Sequence, residues 1–131
     1  MKKLVINTDG AAAPNPGPAA IGAIIRDDHG NTVATISQSI GRATNNQAEY
    51  RAMIAALQKA LVLGADRVSL RSDSELVVRQ LNGRYRVKKA ELKPLYRQVR
   101  ELLDRFQKFT VTHVPREQNR EADKLAGSAL K

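Results

Sequence analysis

Two short runs of alternating apolar residues, Arg67 to Ser72 (Val68, Leu70) and Phe109 to Val114 (Phe109, Val111), are each reached from the preceding strand through a stretch of helical periodicity. This alternation constrains the fold more than any other feature of the chain. Strands joined through helices pair in parallel, because returning to the same end of a sheet needs a crossover of about a dozen residues or more. The N-terminal third is built differently. Lys3 to Thr8 and Ala20 to Arg26 are apolar strands, "DDHGN" (Asp27 to Asn31) is a hairpin turn, and Thr32 to Ile40 returns as a third strand. The helical stretches begin with "TNNQAEYRAMIAALQKALVLG", whose stripe is Tyr50, Met53, Ile54, Leu57 and Leu61. Asn45 or Asn46 is expected to cap it and Gly64 to end it. Three more follow: Ser74 to Leu81, Leu92 to Phe106, and Arg120 to Leu130 capped by Asn119. The expected architecture is α/β, a mixed five-stranded sheet of an antiparallel hairpin plus parallel strands, with helices on both faces.

Bulk properties narrow the function. A chain of 131 residues, 42% hydrophobic, is expected to form one domain over residues 1–131. The absence of cysteine excludes disulfides, thiolate zinc sites and a cysteine nucleophile. No apolar run approaches the roughly 20 residues that span a bilayer. Met1-Lys2-Lys3 leads into a strand without a signal-peptide core, so a cytoplasmic protein is expected. A formal charge of +9 points to a polyanionic partner, with nucleic acid the first candidate.

Within that basic chain, four acids are placed where they can meet. In an open α/β sheet, ligands sit beyond the carboxyl ends of the parallel strands. Asp9 follows the first strand and Asp73 the fourth, so the two stand side by side if those strands are parallel neighbours. A helix cap is the ordinary use of an acid at Asp73, but Ser72 or Ser74 can serve there. Glu49 lies early in the long helix and Asp123 early in the last one, each explicable alone as an acid near a helix N-terminus. Together, four unpaired carboxylates repel, and hard divalent cations with oxygen ligands relieve that repulsion. An acidic metal pocket in a basic surface is the layout for phosphodiester hydrolysis with two ions. After Asp9, the chain runs on through Gly, Ala, Pro and Asn with almost no side chains.

"TDGAAAPNPGPAAIG", "TNNQAEYRAMIAAL", "SDSELVVRQLNG" and "HVPREQNREADKLA" occur in this order and cover nearly the whole chain. With them the sequence resembles the type 1 ribonucleases H. The resemblance implies the ribonuclease H-like fold and hydrolysis of the RNA strand of RNA–DNA hybrids. It implies two Mg2+ ions, with Mn2+ as a substitute: Asp9 bridging both, Glu49 and Asp73 on one, Asp123 on the other. It also implies that Gly10 and Ala11 let the substrate backbone approach, and that Thr44, Asn45 and Asn46 contact the hybrid at 2′-OH and minor-groove edges. A monomer is expected.

Two departures from the family pattern matter. The basic protrusion with Trp that some members carry is replaced by the short "NGRYRVKKAELKP", as in the shorter-handled branch. Hybrid contact there would fall to Arg84, Arg86, Lys88 and Lys89. His113 has the spacing from Asp123 of the family's auxiliary loop His. It also alternates with Phe109 and Val111, and in that reading it is a packed strand residue and Arg116 takes the auxiliary role. His29 is a turn residue. Two other classes compete. A non-catalytic hybrid- or duplex-binding module is expected to lack an acid, and all four are present. Against a resolvase or transposase core stands "TNNQAEY".

Overall fold

A computed structural model describes residues 2–130; Met1 and Lys131 lie outside them. The chain runs β1 (Lys3–Ala12), β2 (Gly17–Arg26), β3 (Thr32–Ala43), α1 (Asn45–Val62), β4 (Arg67–Ser72), α2 (Glu75–Leu81), α3 (Lys93–Leu103), β5 (Lys108–His113) and α4 (Arg120–Ala129). A 3₁₀ turn at Arg116–Gln118 precedes α4. The strands form one sheet in the order β3-β2-β1-β4-β5. As the alternation of strands and helices requires, β1 pairs with β4 and β4 with β5 in parallel, while β1, β2 and β3 form an antiparallel meander.

Side-chain alternation divides the sheet into two faces. Leu4 and Ile6 of β1, Val68 and Leu70 of β4 and Val111 of β5 pack in one core with Tyr50, Met53 and Leu57 of α1 and Val99 and Leu103 of α3. Each fully buried Leu or Ile there contributes about 1.5–3 kcal/mol by leaving water. On the other face, α4 packs on β1, β2 and β3 and leaves β4 and β5 uncovered.

Several boundaries differ from the expectation. β1 does not stop at Thr8 but continues through Asp9 to Ala12, held by β2, which begins at Gly17; the side-chain-poor bend shrinks to residues 13–16. β3 extends to Ala43, and α3 ends at Leu103, short of Phe106. The cap of α1 is Thr44, neither Asn45 nor Asn46: its hydroxyl accepts from the Gln47 N–H, and the Gln47 side chain accepts from the Thr44 N–H. Two orphan backbone donors are met at once, which a lone Asn cannot do. Asn119 precedes α4 but makes no capping bond with its side chain. It is buried, accepting from Asn7 and donating to the Thr8 carbonyl, so it ties the start of α4 to the middle of β1. No helix among the described residues is long and apolar enough to cross a membrane.

Candidate active site

The parallel register of β1 and β4 ends at Thr8 opposite Ser72, so Asp9 is the next residue of β1 and Asp73 the first beyond the end of β4. Ser74 caps α2 by accepting from the Val77 N–H, which leaves the Asp73 carboxylate uncommitted. Glu49 arrives from the opposite side, in the second turn of α1, and accepts a short hydrogen bond from the Gly10 N–H. The carboxylates of Asp9, Glu49 and Asp73 present oxygens that all lie within 4.8 Å of one another. Asp123, from α4, stands beside Asp9 and lies 3.8 Å from the Arg116 guanidinium.

Two glycines make this convergence possible. A Cβ on Gly10 would come within 2.2–2.4 Å of the α1 backbone at Ala48 and Glu49. A Cβ on Gly22 would come within 2.3–2.4 Å of the α4 backbone at Ala122 and Ala126. Each glycine therefore admits one acid-bearing helix against one face of the sheet. Gly10 thus has a packing role besides any role in admitting a substrate. The significance of Gly22 was not read from the sequence, although an isolated glycine inside an apolar strand signals close backbone approach.

Crowding and burial set the electrostatics. Burial, with Asp123 and Asp73 adding to it, pushes the Asp9 pKa up to about 7 from the ordinary 3.8. Glu49 is held well above its usual range by burial and then by the Asp9 charge. Asp73 is raised by burial and by Asp123, with Arg116 opposing. The folded, metal-free protein therefore holds protons that the unfolded chain releases near pH 4. The stability that the raised Asp9 pKa confers is complete below about pH 4 and is lost as pH rises through about 7. We expect the Tm difference between Asp9→Asn and the unchanged protein, in chelator, to widen in favour of the variant from pH 4 to pH 7.5. A difference independent of pH contradicts the shift.

The donor set suits a hard cation. Three convergent carboxylates supply only oxygen, the ligand type that magnesium and manganese take. They open into a cleft of about 450 Å3 that Asp123 and Arg116 also line.

A protein-family model described as "Reverse transcriptase-like" matches residues 7–129. Ribonuclease HI of Halobacterium salinarum is 48% identical over 122 residues, covering 93% of this chain and 61% of that protein. The solved structure of RNase H1 from the same archaeon matches with a TM-score of 0.95 at 46% identity, over 98% of this chain and 97% of that one. The chain belongs to the type 1 ribonuclease H family. The N-terminal RNase H domain of a Mycobacterium tuberculosis protein matches equally well, with a TM-score of 0.95 at 44% identity over 98% of this chain and 99% of that one. LC11-RNase H1, isolated from compost and solved in complex with RNA/DNA hybrid, matches at 0.91 and 42% identity, over 97% and 96% of the two chains. The chain spans about a third (35%) of the length of the Mycobacterium tuberculosis bifunctional protein, to which it is 46% identical over 129 residues.

The remaining candidates fall into two groups. Gly10, Ala11, Asn45 and Asn46 line the carboxylate cleft with Ser74. Asn45 also accepts from the Ala12 N–H at 2.7 Å, and Thr44 is occupied in the α1 cap. Arg84, Arg86, Lys88 and Lys89 are all exposed in the link between α2 and α3. Arg84 and Arg86 border a separate hollow of about 630 Å3 with Tyr85 and Tyr96, outside the carboxylate cleft. His113 is the last residue of β5, opposite Ser72, as its alternation predicts. It is exposed, however, because β5 is an edge strand that buries only Val111, so the expected packing beneath the sheet edge does not occur.

Proposed function

We propose that this chain is a metal-dependent endonuclease that hydrolyses the RNA strand of RNA–DNA hybrids by a two-metal-ion mechanism. The observation that carries the reading is the set of carboxylates of Asp9, Glu49 and Asp73 within 4.8 Å, with Asp123 beside them. Groups this close repel one another once ionised in an empty pocket, and bound cations would relieve that repulsion. Asp9, Glu49, Asp73 and Asp123 would hold two divalent ions, magnesium or manganese, which would acidify an attacking water and supply positive charge at the leaving oxygen. The chain's own groups do the rest. The Gly10 N–H orients Glu49, and the capped start of α1 holds Asn45 and Asn46 at the cleft mouth. Their amides offer both donors and acceptors to 2′-hydroxyls and minor-groove edges, the features that distinguish RNA from DNA. Arg84, Arg86, Lys88 and Lys89, exposed on the link, reach phosphates beyond the cleft. The reading also takes the protein as a cytoplasmic monomer, the second point being open to sedimentation.

Matched RNA–DNA, RNA–RNA and DNA–DNA duplexes, with and without magnesium or manganese, test the proposal. Cleavage confined to the RNA strand of the hybrid and dependent on metal is expected. Equal cutting of DNA–DNA removes the 2′-OH reading; no cutting with either metal leaves a binding module. Because Asp9 holds its proton up to about pH 7, protons compete with metal, and the Tm gain from magnesium is expected to be larger at pH 8 than at pH 5.5.

Arg116, not His113, is the auxiliary group in this reading. It is the basic side chain on the cleft wall, and its charge opposes the rise of the Asp73 pKa. Arg116→Ala is expected to lower turnover by about 100-fold, the low end of what a positioned electrostatic donor contributes. His113→Ala is expected to change stability by less than about 0.5 kcal/mol, as exposed positions do, and to leave the pH–rate profile unaltered. Loss of a neutral pKa from that profile in His113→Ala reverses the assignment.

A further inference from the structure

We propose that the uncovered face of β4 and β5 is a docking strip for one phosphodiester strand continuing out of the carboxylate cleft. The proposal rests on the nuclease reading above, since it extends the path of the same nucleic acid. Lys3 of β1 is paired with Arg67 of β4, and Arg67 with Lys108 of β5. Directly paired residues project from the same face, so three cations stand abreast across three strands. Like charges directly opposite one another destabilise a sheet. Among the described residues, no acid forms an ion pair with any of the three to offset this. They line a hollow of about 370 Å3, and Arg67 Nε is buried without a hydrogen-bond partner.

The strip leads towards the active site. Asp9 is paired with Gly22, whose open side faces α4, so Asp9 lies on the same face as Lys3. Along β1 the six-residue step from Lys3 to Asp9 spans about 20 Å. Between these ends, α4 covers β1 but leaves β4 and β5 open, and Arg71, Thr110 and Thr112 are exposed there. Arg, Lys and Thr are donors suited to phosphate oxygens. From β1 to β5 the width is about 10 Å, suited to one backbone and too narrow for a duplex. Among the described residues, the exposed large apolar ones, Val33, Val62, Leu76 and Tyr85, all lie elsewhere. A peptide partner would normally need such anchors.

The test compares a blunt RNA–DNA hybrid with the same hybrid carrying single-stranded DNA tails of each polarity. Binding is read by fluorescence anisotropy without divalent metal, and cleavage is read separately with magnesium. The unchanged protein is expected to bind one tailed form severalfold more tightly than the blunt form at low salt. Arg71→Ala/Lys108→Ala is expected to lose that advantage. Its log–log salt slope on the tailed substrate should fall by about 1.4, two contacts at roughly 0.7 each for a single strand. The kcat and KM on the blunt hybrid should not change, and Arg71→Lys/Lys108→Arg should keep the tail effect. A tail without effect on the unchanged protein, or an advantage that survives in the Ala variant, overturns the strip. Absence of cleavage of either hybrid by the unchanged protein removes the nuclease reading alone, because the anisotropy comparison still decides on the strip.

Discussion

Asp9→Asn is expected to fold, to bind hybrid and to cut it more than about a hundredfold more slowly. Losing a group that only orients a metal ligand costs roughly 10–100-fold, so losing a central carboxylate should cost more. Asp9 is central by geometry: it is buried, shares the 4.8 Å cluster with Glu49 and Asp73, and lines the same cleft as Asp123 of α4. The exposed cations on the link do not depend on it, so binding through phosphates persists. The same substitution removes the group whose pKa burial and neighbouring acids push up to about 7. The variant should therefore melt higher than the unchanged protein in chelator at pH 8, while gaining less from added magnesium. Single-turnover cleavage, anisotropy and thermal melts measure the three effects. Near-normal turnover would place the metals elsewhere, and a lower Tm at pH 8 would mean that the carboxylates do not repel.

Gly10→Ala should be the most damaging substitution that alters no charge. The added methyl meets the α1 backbone at 2.2–2.4 Å, far inside van der Waals contact, so a helix or a strand has to move. Overpacking of this kind costs about 1–3 kcal/mol, and displacement of main chain puts this site at the upper end. For a domain of this size, that is a fall in Tm of about 10 °C. Because the clash is at Glu49 itself, turnover should drop with stability, by at least about tenfold once a carboxylate proposed to hold metal loses its place. Gly127→Ala in α4 supplies the control, since a Cβ there meets nothing within 4 Å. It should be neutral or stabilise by up to about 1 kcal/mol, as alanine does in a helix. A Gly10→Ala variant with unchanged Tm and kcat would mean that α1 does not pack on β1 as described.

The four acids were legible because each stands next to a punctuation mark that the chain spells out locally. Asp73 follows the alternating Val68 and Leu70 of β4, and the serine after it supplies the helix cap. Glu49 and Asp123 sit near helix starts marked by polar residues ahead of an apolar stripe. Local rules of this sort also distinguished the antiparallel meander from the parallel pairs, since a tight turn and a helical crossover cannot be exchanged. Even the missed cap at Thr44 was written in the sequence, as Thr with Gln three residues on.

By itself, then, the sequence determined the order and type of the elements, the pairing sense of the strands and which acids stand near strand ends and helix starts. These depend on periodicity and turn chemistry within a few residues. Only the tertiary structure decided how far β1 runs, because Asp9 to Ala12 become strand through pairing with β2 rather than through their own weak preference. It alone decided that Asn119 ties α4 to β1, that His113 is exposed, and that Gly10 and Gly22 admit the two helices bearing Glu49 and Asp123. The raised pKa of Asp9 belongs to the same class, since it arises from burial and from charges 64 and 114 positions away in the chain, at Asp73 and Asp123. Contacts of that range come from how sheet and helices pack, and no local rule encodes them.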